Sequence, residues 1–96
     1  MKVEFNPLAN DELVAAHAYY ESRLVGLGDD FVAEVSRGLR TIDAMPNSWQ
    51  AIRPGTRRFL LDRFPYGLVY QVRDDTIRVM AVAHLRRRPG YWRGRK

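Results

Sequence analysis

Residues His84-Leu85-Arg86-Arg87-Arg88-Pro89-Gly90-Tyr91-Trp92-Arg93-Gly94-Arg95-Lys96 carry six cations and no acid, interleaved with a histidine, a tyrosine and a tryptophan. Guanidinium groups fixed on a fold meet phosphate or carboxylate in two-point contact. His84 offers a general acid/base or a phosphate contact; equally, its ring can bond to backbone at a strand end. Tyr91 and Trp92 can stack on a base, form the core of a protein contact, or pack on the protein's own body, the commonest outcome for such a pair. The stretch follows an apolar strand, so the cluster is expected to be anchored to a sheet. Arg63, Arg86, Arg87, Arg88, Trp92 and Arg93 form the candidate surface for gripping an acidic partner. Arg57 and Arg58 can extend it from a neighbouring strand.

Other chemistries find little support. Ser22, Ser36 and Ser48 are the only serines, none beside a histidine or in a nucleophile elbow. No glycine loop of phosphate-cradling pattern is present. With no cysteine, disulfides and thiolate metal sites are excluded. His17 and His84 are the only imidazoles, and no acidic pair stands at ligand spacing beside either, so neither metal nor other cofactor is expected. Asp29-Asp30 and Asp74-Asp75 read as a helix start and a hairpin turn. Residues 1–5 lack a signal-peptide core, and no apolar run approaches a membrane span. The expectation is a soluble cytoplasmic protein.

Charge is divided along the chain. Residues 1–52 hold four Lys/Arg against eight Asp/Glu, a net of −4; residues 53–96 hold twelve against three, a net of +9. Eleven of those twelve cations are arginine, which favours planar recognition of anions over plain solubility.

The 96 residues, 46% apolar, predict a single domain over 1–96 with one compact core. Residues 2–5 alternate as a short strand. Asn6-Pro7 reads as a cap and first helical position. Leu8, Ala9, Leu13, Ala16, Tyr20 and Leu24 recur at helical spacing, and Asp11 and Glu12 lie where the helix macrodipole favours anions. Gly26-Leu27-Gly28 stops this helix. A second begins at Asp29 or Asp30, buries Phe31, Val35, Leu39 and Ile42, and ends at Met45-Pro46. Residues 47–55 read as irregular. Arg57 to Leu61 predicts a strand, followed by a break at Phe64-Pro65-Tyr66-Gly67. Leu68, Tyr70 and Val72 alternate on the next strand, and Asp74-Asp75 turns into the last. There Ile77, Val79, Ala81 and Ala83 point one way. Arg78, Met80, Val82 and His84 point the other, with Arg86 and Arg88 on the side of His84 and Arg87 opposite. The fold class is α+β, in the order β-α-α-β-β-β, an antiparallel sheet with a helical hairpin on one face.

The pattern resembles the RelE/ParE superfamily of bacterial toxins from type II toxin–antitoxin systems, over nearly the whole chain. It runs through Tyr19-Tyr20-Glu21, Leu27-Gly28, Met45-Pro46 and Arg58-Phe59-Leu60-Leu61-Asp62-Arg63-Phe64-Pro65-Tyr66. It is strongest in Leu68-Val69-Tyr70-Gln71-Val72, in Ala81-Val82-Ala83-His84 and in Arg87-Arg88-Pro89-Gly90-Tyr91-Trp92. The family fold is the one read from periodicity.

The resemblance implies two activities. RelE-like members cleave mRNA on the ribosome without a metal, stabilising the scissile phosphate with basic groups. Mapped here, that branch implies Arg58, His84, Arg87 and, with a gap, Tyr91. The arginine it expects just before Leu68 is Gly67, a lost phosphate ligand worth about 3 kcal/mol at the transition state. ParE-like members poison DNA gyrase through a protein surface, and Arg63-Phe64-Pro65-Tyr66 and His84-x-x-Arg-x-Pro are closer to that branch. Either branch implies a cognate antitoxin whose flexible acidic and apolar segment neutralises the basic face, and allows a toxin–antitoxin hetero-oligomer. A nucleic-acid-binding module without toxicity is the reading outside the family.

Overall fold

The computed structural model describes residues 1–96. Its elements are β1 (Lys2–Phe5), α1 (Pro7–Arg23), α2 (Leu27–Ala44), β2 (Gln50–Arg53), β3 (Thr56–Leu60), β4 (Tyr66–Arg73) and β5 (Thr76–His84). They form one five-stranded sheet in the order β1-β5-β4-β3-β2. The α+β class and the β-α-α-β-β-β core stand, with two corrections. The segment expected to be irregular contains β2, a short strand at the sheet edge paired with β3. The sheet is mixed rather than antiparallel, because β1 returns beside β5 in the same direction, the helical hairpin supplying the crossover.

Local chemistry sets the helix ends. The Asn6 side chain accepts the Leu8 N–H at 2.8 Å, and Pro7 occupies the first helical position, where no N–H is needed. The second helix starts at Leu27, earlier than the expected Asp29 or Asp30. Glu21 explains the difference: its carboxylate accepts the N–H groups of Gly26 (2.8 Å) and Gly28 (2.9 Å), supplying partners for amides that a helix start leaves open. Gly28 also lies against α1 so closely that a Cβ there would sit 2.5 Å from the His17 carbonyl oxygen. Leu8 and Leu24, placed on the apolar stripe by spacing, are 53% and 64% exposed; the buried contact of α1 is made by Ala9 and Ala16.

The two faces of the sheet are covered differently. Phe31, Val35 and Ile42 of α2, with Ala9 and Ala16 of α1, pack on Leu68, Tyr70, Ile77, Val79 and Val82. The other face carries Val69, Met80, Ala81 and Ala83, covered by Trp92 from beyond β5. This division overturns the expected alternation on β5. Val69 pairs with Ala81 and Tyr70 with Val79, so β5 carries an extra residue, and the bulge reverses the phase of every side chain after it. Val82 therefore joins Val79 on the helical face, and Ala81 and Ala83 turn away from it. No helix is long and apolar enough to cross a membrane.

Candidate anion-gripping cleft

The chain leaves β5 at His84 and does not stay extended. The Leu85 N–H donates to the Pro65 carbonyl at 2.9 Å and the Arg87 N–H to the His84 carbonyl at 3.0 Å. Further turns at Arg88–Tyr91, Gly90–Arg93 and Trp92–Arg95 fold the segment back on the sheet. Gly90 and Gly94 take φ of 76° and 87°, which a residue with a Cβ rarely adopts. Trp92 takes the commonest of the expected outcomes, packing on the protein's own body: it is only 8% exposed against Val69, Met80, Ala81 and Ala83, since burying its ring on this apolar face outweighs displaying it at the candidate gripping surface. The strand-like disposition of the arginines does not occur either. Arg87 and Arg88 line one cleft with His84, and Arg86 lines the neighbouring groove with Tyr19, Tyr66 and His84.

A single carboxylate ties the segment down. Glu12 of α1 accepts the Tyr91 hydroxyl at 2.7 Å and both terminal nitrogens of Arg95 at 2.9 and 3.1 Å. It also accepts the Val82 N–H at 3.0 Å, next to the β5 bulge. Arg95 donates further to the Met80 carbonyl at 3.1 Å. The Arg87 guanidinium lies over the Tyr91 ring, 3.8 Å from its centroid, and 4.0 Å from Glu12. Burial, reinforced by the bond to Glu12, holds the Tyr91 phenol well above its ordinary range, and the bond to Glu12 raises Arg95 likewise. Tyr91 is therefore a fixed donor rather than a group poised to exchange a proton.

Beside this anchor, Arg53, Arg58, Arg87, Arg88 and Arg93 line a cleft of about 240 Å³ together with His84 and no acid. Arg58 of β3 reaches it across Gly67 of β4, where a Cβ would stand 3.0 Å from Arg58 Cγ. Its Nη2 makes one long bond to Gln50, 3.4 Å, and its Nε is shielded without any acceptor. The His84 ring accepts the Arg86 N–H at Nδ1, 3.0 Å, and stands edge-on to Tyr66 with centroids 5.0 Å apart.

Of the residues singled out in the sequence, Arg58, His84, Arg87, Arg88, Tyr91, Trp92 and Arg93 come together around this cleft. Arg63 does not: it is paired with Asp30 at 3.6 Å and lies over Phe64, 5.4 Å from the ring centroid. Arg57 donates to the Trp49 carbonyl at 2.7 Å, on the helical face. Sequence reasoning missed Glu12, Arg95 and Arg53. Glu12 had a readable signal, because it stands one turn from both Ala9 and Ala16 on the buried side of α1. It also missed a triad at the helix corner, where His17 lies with Glu21 and Asp29, their ligand atoms within 4.8 Å. Acids do therefore stand beside His17, four positions on and across the turn. Both Glu21 oxygens already serve α2, and His17 Nε2 is bonded to Asp29 at 2.9 Å.

The sequence model of the ParE toxins of type II toxin–antitoxin systems, parDE, matches residues 3–89. The chain belongs to this family. Among solved structures, one titled the chromosomal ParDE toxin–antitoxin system from P. aeruginosa superposes with a TM-score of 0.76, at 17% identity over 88% of this chain and 96% of that one, and so shares the fold. A search of curated proteins finds no match. As a ParE-family toxin of a type II toxin–antitoxin system, the chain has an antitoxin as its partner.

Proposed function

We propose that this ParE-family toxin arrests growth by binding DNA gyrase through the basic cleft surface, and that its cognate antitoxin silences it by covering the same surface with an acidic segment. The state of Tyr91 carries the reading. The one phenol at the cleft is donated to Glu12, raised by burial and capped by Arg87, which leaves a surface able to grip but poorly supplied with acid–base groups. His84 supports the same view, with Nδ1 already bonded to backbone. Charge complementarity between five arginines and an acidic segment gives the antitoxin both speed of encounter and selectivity.

The ribonuclease reading keeps one favourable observation, since Arg58, His84, Arg87 and Tyr91 do line a common cleft. Induced expression separates the two. Gyrase trapped on cleaved DNA is the expected result; codon-linked cuts in mRNA, mapped by primer extension with gyrase left unaffected, would refute the gyrase reading. Arg87→Ala is expected to abolish growth arrest under either mechanism, and unchanged arrest would move the site elsewhere.

A further inference from the structure

We propose that the Arg58 cleft is a phosphate-backbone site for duplex DNA, gripping the strand without reading its sequence. The inference goes beyond the gyrase reading and stands whether or not gyrase is the target. Four observations lead to it.

The cleft concentrates positive charge with no internal acid to neutralise it: Arg53, Arg58, Arg87, Arg88 and Arg93 line it. Glu12, 4.0 Å from Arg87, is saturated by Tyr91, Arg95 and the Val82 amide. Arg58 lacks an acceptor for its Nε–H and has only a long bond at Nη2, so an incoming oxyanion would complete its hydrogen bonds after a small swing of the side chain.

The volume, about 240 Å³, is below the roughly 300 Å³ at which pockets begin to enclose a whole small molecule. It suits a charged backbone that a larger partner lays across the cleft. Several guanidiniums spread along such a backbone match the charge density of a phosphate run better than that of a lone carboxylate.

The aromatic residues decide between duplex and single strand. Recognition of unpaired bases needs exposed rings on which they stack. Trp92 is buried on the sheet, and Tyr91 is covered by Arg87. The exposed charged groups of the cleft are all guanidiniums, which suffice for contact with a duplex backbone and carry no sequence information.

The test is fluorescence anisotropy of the purified full chain with labelled duplexes of two unrelated sequences across a sodium chloride series. Equal affinity for both is expected, with a log–log salt slope of about −3 to −4 if Arg58, Arg87, Arg88 and Arg93 each meet a phosphate. Arg88→Gln, at an exposed position, and Arg58→Gln should each reduce the slope by about one. Arg40→Gln, on α2 across the sheet, should leave it unchanged. Binding unaltered by Arg58→Gln and Arg88→Gln would overturn the site. So would tighter binding of the single strand than the duplex, or displacement of the duplex by a poly-glutamate peptide at lower concentration than by unlabelled duplex. Trapping of gyrase is a separate readout, so failure of the unaltered chain to bind duplex, with trapping retained, would refute this inference alone.

Discussion

Glu12 and Arg95 face each other in a two-point ion pair, 2.9 and 3.1 Å, with side chains only 16% and 12% exposed. One belongs to the first helix and the other lies 83 residues further on, beyond the last strand, so the pair ties distant parts of the chain together. The pair also explains why a strongly basic segment lies against its own sheet. One of its cations is spent inside on an acid, leaving Arg87, Arg88 and Arg93 of the segment facing the cleft.

Glu12→Ala should cost about 3 kcal/mol of folding stability, because it strands a nearly buried guanidinium, the Tyr91 hydroxyl and the Val82 amide together. Urea denaturation measures it. The double variant Glu12→Leu with Arg95→Met should recover part of that loss, since a buried pair replaced by apolar side chains leaves no unpaired charge. Additive losses would show that the two residues do not act as a unit.

Tyr91 makes a prediction about alkaline pH. Burial first, then the bond to Glu12, raises its folded pKa above the ordinary value of about 10. Below that value both folded and unfolded chains keep the proton, and the contribution is complete. Above it the unfolded chain releases the proton first, so stability falls as pH rises towards the folded pKa. Tyr20, Tyr66 and Tyr70 are shifted in the same direction by burial. Tyr91→Phe should therefore make the alkaline loss shallower without removing it, as read by denaturation midpoints alongside phenolate absorbance. An unchanged profile would mean that Tyr91 titrates freely in the folded protein.

Periodicity carried the fold up to the point where apolar residues run together. The N-terminal cap at Asn6, the helical hairpin and the β4–β5 turn at Asp74-Asp75 were all legible because each has a local chemical signature. The bulge in β5 was not, because Val79-Met80-Ala81-Val82-Ala83 is apolar throughout and a phase change leaves no trace in such a run. Strand β2 escaped for a related reason: Gln50-Ala51-Ile52-Arg53 is short, polar and exposed at an edge, and its identity depends on its partner β3. At the site, the arginines announced themselves by number. Their internal counter-ion did not, because Glu12 looks like any acid near a helix start until the tail is folded onto it.

Glu34 should separate charge from hydrogen-bonding capacity. This buried carboxylate on α2 accepts the Asp62 and Arg63 N–H groups at 2.6 and 3.0 Å, both at Oε2, and so fixes the β3–β4 turn beside the end of β5. A glutamine carbonyl can accept the same two donors, whereas alanine leaves both amides unpaired. Glu34→Ala is expected to cost about 2 kcal/mol and Glu34→Gln about 1 kcal/mol or less, measured by chemical denaturation. Equal losses would show that the charge, rather than the acceptor, matters.

Gly67 and Arg58 occupy one space. A Cβ at position 67 would lie 3.0 Å from Arg58 Cγ and 3.1 Å from Cδ, both in a flexible stem that can be pushed aside. Gly67 has no positive φ, so alanine fits the strand backbone there. Gly67→Ala should then change stability by no more than about 1 kcal/mol, as expected for a strand substitution, while displacing the Arg58 guanidinium from the cleft. The expected outcome is a fall in DNA affinity comparable to that of Arg58→Gln, together with a shifted Arg58 side-chain N–H signal by NMR. This relation also changes the meaning of the arginine that the resemblance expected at position 67. Introduced here, an arginine would evict Arg58 rather than join it. Gly67→Arg should therefore not add a cation to the cleft, and a gain in DNA affinity from that variant would show that the two positions are independent.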